Sequence, residues 1–340
     1  MKHINVALFV PDEGCPHRCS FCNQKTISGK VTPLKVEEID KAVEIALNNI
    51  GCNEGEIAFF GGSFTAIDKA YMTELLKRAY TYVKKGLFKG IRISTRPDCI
   101  SREILDILKS YAVSAIELGC QSMNDRVLTL NTRGHTEGDV CNAAELIREY
   151  GFELGVQMMT GLYGDSDEGV VETAEKLIAL SPDTVRIYPT IVLEGTKLCE
   201  LYRNGVYTPQ SVDEAAELCK KLIIMFEQKG IRVIRLGLHS GGNVEEGFVA
   251  GPYHPAFREI CESKIYLDNV LAELEKGKIP QGKIEITVGT PFVSMLTGQK
   301  KANISKLNEM GFEVKIIQNK EYEKYKVSVA NYIHHTSVRG

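Results

Sequence analysis

The 340-residue sequence predicts an α/β fold built on parallel strands, and three observations lead there. Short apolar runs alternate with longer amphipathic ones, the longer runs are of crossover length, and glycines stand where those runs end. The first strand is "INVALFV", close to the N-terminus. "KVEEIDKAVEIALNNI" follows with apolar residues at helical spacing, and then "EIAFF" returns as a strand. The same exchange repeats through helix "AYMTELLKRAYTYVKK", strands "IRIST" and "SAIEL", helix "EGDVCNAAELIREY", and strands "ELGVQMM" and "TVRIYPT". Helix "SVDEAAELCKKLIIMFEQ" and strand "IRVIRL" close the series. Gly86, Gly151 and Gly230 sit just past helical runs, where a left-handed C-cap is expected. Parallel strands need crossovers, so the rhythm specifies a parallel barrel or an open doubly wound sheet.

The rhythm breaks at "HSGGNVEEGFVAGPYHP", a glycine-rich stretch that marks a domain boundary. Residues 1–240 form the βα domain, and residues 255–330 form a small α+β unit: helix "AFREICESKIYLDNVLAELEKG", strand "KIEITV", helix "KKANISKLNEM" and strand "FEVKII". Composition is that of a globular protein, 44% hydrophobic and 25% charged, with no apolar stretch long enough to span a bilayer. A soluble, cytoplasmic protein without a membrane partner is expected. Net charge is -3, yet the segment from Lys276 to Lys326 holds ten Lys against five Glu and no Arg or Asp, so the basic character lies near the C-terminus.

Three of the ten cysteines, Cys15, Cys19 and Cys22, crowd into "CPHRCSFC" directly after the first strand, and the other seven are scattered singly. The C-terminal end of a parallel strand is where α/β folds keep their chemistry. Four readings compete. Zinc would need His17 as a fourth ligand inside the same tight loop. A disulfide would leave an odd thiol. A catalytic thiol needs only one cysteine, whereas a 4Fe–4S cluster held by three thiolates keeps one iron open.

CxxxCxxC with Phe21 before the last cysteine resembles the signature of radical S-adenosylmethionine (SAM) enzymes, in which SAM chelates the open iron. Further segments resemble that family in order: "FFGGSFT", "ISTRPD", "IELGCQSMNDRVL", "RGH", "QMMTGLYGD" and "IYPTIVLEGTKLCELYRNGVYTP". Over about residues 5–238 the combination is similar to the radical-SAM half of the catalytic Elongator subunit and, more distantly, to oxygen-independent coproporphyrinogen oxidases. The resemblance implies a partial parallel (βα) barrel with SAM across its open top. It also implies an external electron donor and a 5′-deoxyadenosyl radical that takes a hydrogen atom from substrate. By position, Phe21 would pack near the adenine, and Gly61, Gly62 and Ser63 would let backbone accept the SAM ammonium. Gln121 would bond the ribose, Arg133 would pair with the carboxylate, and Gln157 would lie on the ribose or sulfonium side. Ser94 departs from the pattern, since relatives carry an acidic residue there.

The Elongator-like enzymes modify a wobble uridine in tRNA with the help of an acetyl-CoA domain, and no glycine-rich acetyl-CoA loop is evident after the barrel here. "MLTGQKKANISKLNEMGFEVKII" looks like a degenerate KH module, with Lys301 in place of the second glycine of its GXXG loop. Gly298, Lys300 and Lys301 would then contact RNA phosphate. Two alternatives stand beside an RNA-directed radical enzyme: one acting on a small molecule or protein, and a non-catalytic iron–sulfur or zinc module. The last has no need for the ordered SAM-contact segments.

Overall fold

The computed structural model describes residues 5–10, 15, 18–29, 32–50, 55–238 and 244–332. His17, Cys52 and the 239–243 part of the expected boundary lie outside the described residues. Seven strands form one parallel sheet in chain order, β1 (Asn5–Val10), β2 (Glu56–Gly61), β3 (Gly90–Thr95), β4 (Val113–Gln121), β5 (Glu153–Thr160), β6 (Thr184–Pro189) and, after the two-residue β7 (Val192–Leu193), β8 (Arg232–Leu236). β7 pairs antiparallel with β9 (Phe248–Ala250).

The strand order never reverses, whereas a doubly wound sheet doubles back at a switch point. β1 and β8 stand at the two ends of the order and do not pair with each other, so the sheet is a half-barrel and the doubly wound alternative falls. Each strand read in the βα series coincides with one of these seven. Helices 102–110 and 167–179 join those read from the sequence, each opened by a serine, Ser101 and Ser166, whose side chain accepts a backbone N–H of the first turn. Gly86, Gly151 and Gly230 take φ of 71°, 77° and 73°, the left-handed conformation that lets each helix stop and the chain turn into the next strand.

Side chains alternate across each strand, so one face of the half-barrel lies under helices and the other lines its hollow. Ile57, Phe59, Ile91, Ile93, Ile116 and Leu118 are fully buried on the helix side. The hollow side carries Phe60, Arg92, Ser94, Glu117, Gln157 and Arg186 at the alternate positions. Charge on the inner face of an otherwise apolar strand is the feature on which the later sections draw.

By compactness the chain divides into two units, Met1–Ala215 with Leu222–Pro255, and Ala216–Lys221 with Ala256–Gly340. In the second, helix Phe257–Lys276 precedes β10 (Gly282–Gly289), helices Val293–Thr297 and Ala302–Glu309, β11 (Phe312–Asn319) and β12 (Val327–Asn331). β10 is central, parallel to β11 and antiparallel to β12. Tyr266, Val270, Ile284, Ile286, Val288 and Leu307 form its core. β12 is an edge strand with no buried residue, so it lacked the apolar signal that marked the others. No helix among the described residues is long and apolar enough to cross a membrane.

Candidate active site

All seven parallel strands end on one rim, and the segments singled out in the sequence follow those ends. Beyond Val10 come Cys15, Cys19 and Cys22, half-buried and in no disulfide. The residue after Cys19 ties the loop down. Ser20 is buried, and it donates N–H to Asn131 O at 3.1 Å and Oγ to Asn131 Oδ1 at 2.7 Å. Its carbonyl accepts Leu198 N–H at 2.7 Å. Phe21 packs on the cluster of Val192, Leu198, Cys199 and Tyr207. These anchors span more than a hundred residues, and nothing in the sequence near Ser20 announces them.

The glycines after β2 fit a close backbone approach. Gly61 has φ of 114°, and a Cβ there would stand 2.3 Å from Val10 O. Gly62 donates its N–H to the same carbonyl at 3.2 Å. Ser63 is buried, with its hydroxyl 2.8 Å from Thr95 Oγ1 and accepting Arg96 N–H at 3.2 Å. What this segment offers a ligand is therefore backbone.

At the end of β4 the pairing with β5 slips between Gly119 and Gln121, and Gln121 takes φ of 67°. A bulge re-aims the side chain that follows it. Gln121 Nε2 lies 3.0 Å from where a Gly119 Cβ would be, and Arg133 Nη2 lies 3.4 Å from that point. Arg133 donates Nη2 to Gly119 O at 2.6 Å and Nη1 to Cys19 Sγ at 3.1 Å. Its carbonyl accepts Arg96 Nη2 at 2.5 Å, and Arg96 is in turn held by both oxygens of Asp98 at 2.9 Å. Gln121 Oε1 and Arg133 Nε are buried with no partner. So Cys19, Gly119, Gln121 and Arg133, scattered in sequence, meet at one place.

Gln157 joins a different group. Its Nε2 donates to Ser94 Oγ at 3.2 Å and Glu117 Oε2 at 3.1 Å, and Glu117 also takes Arg186. Glu117 thus supplies beside Ser94 the carboxylate missing at that position. Arg186, inside "TVRIYPT", escaped sequence reading; the signal was a cation at an inward strand position.

His135, next in line after Arg133 and Gly134, is 4% exposed. Its Nε2 meets Cys120 O at 3.1 Å, and Nδ1 is buried without a partner. Burial, with the Arg133 cation second, pushes its pKa down from 6.5 to about 4. The unfolded chain therefore binds a proton that the folded chain refuses between those two pH values. Stability is full above pH 6.5, declines as pH falls through the window, and levels off below pH 4, with a total loss of up to about 3 kcal/mol. Urea unfolding of wild type and His135→Gln at neutral and mildly acidic pH checks this: the substitution should remove that part of the slope.

Cofactor fit rests on the donor set and on unanswered atoms. Among the described residues no three Cys, His, Asp or Glu stand together as a ready metal-binding set. Cys22 Sγ accepts Gln24 Nε2 at 3.4 Å, so bringing three sulfurs to one metal centre means drawing the loop in. Three thiols on a loop anchored at Ser20, beside a guanidinium with a spare N–H and a carboxamide with a spare acceptor, suit an iron–sulfur cluster with a SAM-like ligand.

Residues 10–177 match the Radical SAM superfamily, and residues 182–266 match the Radical SAM C-terminal domain. An uncharacterised protein of Methanocaldococcus jannaschii is 35% identical over 216 residues, 59% of this chain and 65% of its own length. The tRNA uridine(34) acetyltransferase of the same organism is 28% identical over 261 residues, 63% of this chain and 47% of its own. The chain thus spans less than two thirds of either relative. The solved structure of Elp3 from Methanocaldococcus infernus, with an N-terminal deletion, matches with a TM-score of 0.64 at 20% identity, covering 85% of this chain and 67% of that one. At that identity the likeness is one of fold.

Proposed function

The chain belongs to the radical SAM superfamily, and from that premise we propose that it uses a 4Fe–4S cluster and SAM to take a hydrogen atom from an RNA nucleoside. The observation that carries this reading is Arg133, which reaches Cys19 Sγ at 3.1 Å and lies with Gln121 beside Gly119. Buried polar atoms are almost always answered, and here Arg133, in contact with one of three clustered thiols, keeps a spare donor while Gln121 near it keeps a spare acceptor.

Cys15, Cys19 and Cys22 would hold the cluster. Arg133 would pair with the SAM carboxylate, Gln121 would accept from the ribose, and backbone at Gly61, Gly62 and Ser63 would take the ammonium, with Phe21 toward the adenine. When bound, cluster and SAM would supply the one-electron chemistry that side chains cannot, loaded by an external electron donor. The chain's own part is to position the reacting C–H and keep water from it. Arg133→Ala is expected to weaken SAM binding by about 1.5–3 kcal/mol, the worth of a charged hydrogen bond, as read by equilibrium titration of reconstituted protein. Unchanged affinity would remove Arg133 from the SAM site.

Two features support RNA as the substrate: the name of the tRNA-directed relative, and the turn between the second unit's short helices. Gly298, Lys300 and Lys301 all have positive φ, at 76°, 51° and 63°. Lys300 and Lys301 are exposed and form no ion pair among the described residues, whereas Lys283 and Lys315 pair with Glu313 and Glu285. Left-handed non-glycine residues cost conformational energy and mark functional turns. Binding of tRNA should weaken steeply with salt, and the double variant Lys300→Ala, Lys301→Ala should reduce the slope of log affinity against log salt by about one to two units. A slope that the double variant leaves unchanged would favour a small-molecule or protein substrate.

A further inference from the structure

Arg96 follows the last residue of β3, and its side chain has so far only supported Arg133. Pro97 comes next and excludes helical geometry from the residue before it, so Arg96 is extended, with φ of -82° and ψ of 148°. Its backbone N–H is taken by Ser63 Oγ at 3.2 Å. Two further hydroxyls fix the same turn, since Thr65 Oγ1 lies 2.6 Å from Thr95 Oγ1 and donates to Cys99 O at 2.7 Å. Backbone so held leaves Arg96 only 3% exposed.

A guanidinium carries five N–H groups in one plane, and the bonds made by Arg96 fix where the unused ones point. Nε and Nη2 form a fork on the two oxygens of Asp98, both at 2.9 Å. The second N–H of Nη2 meets Arg133 O at 2.5 Å. In the planar group that N–H runs parallel to one on Nη1, so Nη1 is turned to the same side, beside the Arg133 carbonyl. Nη1 is buried there with no partner among the described residues. Arg133, itself 7% exposed, keeps an unanswered N–H at Nε, while its other two nitrogens hold Gly119 O and Cys19 Sγ. Two buried guanidiniums in hydrogen-bond contact thus share one carboxylate among the described residues, Asp98, and each keeps a spare donor. Unanswered donors on adjacent buried cations complement an anion.

We propose that Arg96 is a second binding residue for the SAM carboxylate, acting beside Arg133. A carboxylate has two oxygens with about four lone-pair positions, so it can accept from Arg133 and from Arg96 Nη1 together. Asp98 is a positioning residue, because it fixes the fork whose free edge meets the ligand. The inference rests on the SAM reading and enlarges its site by a residue to which resemblance gave no role.

Equilibrium titration of full-length, anaerobically reconstituted protein without reductant measures it, with two ligands: SAM, and decarboxylated SAM, which keeps the adenosine, sulfonium and amine but lacks the carboxylate. Wild type should prefer SAM. Arg96→Gln should cut that preference about tenfold, through weaker SAM binding and no loss of decarboxylated SAM. Asp98→Asn is the second variant, and at a side chain 23% exposed it puts folding at less risk. It removes a negative charge, which by charge alone would favour the carboxylate ligand, yet by freeing the Arg96 fork it should lower the preference. Iron content and the unfolding midpoint show that each variant compared is loaded and folded. Equal weakening of both ligands in Arg96→Gln, or a preference that rises in Asp98→Asn, overturns the contact and leaves Arg96 a support for Arg133. Arg133→Ala, titrated alongside, separates the two readings. A preference lost there and kept in Arg96→Gln rejects Arg96 alone, and a wild type that binds both ligands equally rejects the SAM carboxylate site and this inference with it.

Discussion

Changing any one of Cys15, Cys19 and Cys22 to Ala is expected to leave reconstituted protein without its roughly four irons per chain and without SAM cleavage. Cys120→Ala should retain both. The contrast follows from where the sulfurs sit. The three loop thiols are half-buried, and Cys19 Sγ already meets a cation, Arg133 Nη1, at 3.1 Å. Cys120 is fully buried, its thiol 3.4 Å from Leu118 O and pushed up to about 12 chiefly by burial, so at neutral pH it is a core thiol and no ligand. Iron and sulfide analysis after anaerobic reconstitution decides the matter. Stoichiometric zinc without cluster uptake in wild type, or full iron in a Cys19→Ala protein, would reject the cluster.

Arg92→Met should cost about 3–5 kcal/mol of folding stability, because it removes the buried cation that three carboxylates share. Arg92 is 2% exposed and donates Nε to Glu56 at 2.7 Å, Nη2 to Glu153 at 3.0 Å and Nη1 to Glu117 at 3.5 Å. Without it, Glu117 keeps Arg186 and Glu153 keeps Arg232, but buried Glu56 loses its bond to the Arg92 guanidinium. Adding Glu56→Gln removes the carboxylate that faced Arg92, so the double variant should recover part of the loss, a non-additivity expected of groups in contact. Denaturant unfolding of the two single variants and the double variant measures it. Additive losses would mean that Glu56 and Arg92 stabilise the sheet independently.

The loop cysteines and the glycine segment were legible because they are local. Three thiols at fixed spacing after an apolar run, or two glycines after another, show their chemistry within a few residues. Arg133 was reached only through resemblance, and its contact with Cys19 joins positions 114 residues apart. Ser20 and Arg186 left no comparable trace. A serine between cysteines looks like a loop residue until Asn131 accepts its hydroxyl, and an arginine in a strand looks like surface until the sheet curls it onto Phe60.

By itself the sequence determined the α/β class, the seven strands, the helix stops at Gly86, Gly151 and Gly230, and the clustering of thiols after the first strand. Each of these rests on hydrophobic period, turn chemistry or spacing, which act over one element at a time. The resemblance implied a partial barrel, whereas hydrophobic period alone left a closed barrel and a doubly wound sheet open, since strand order and closure depend on pairing between distant segments. Tertiary structure alone decided which polar side chains meet. Gly155 has no side chain, so Glu117 can cross β5 to Arg186, and the bulge at Gly119 turns Gln121 back toward Arg133. Such meetings depend on register and on the space a missing Cβ leaves, quantities that exist only once neighbouring strands have paired.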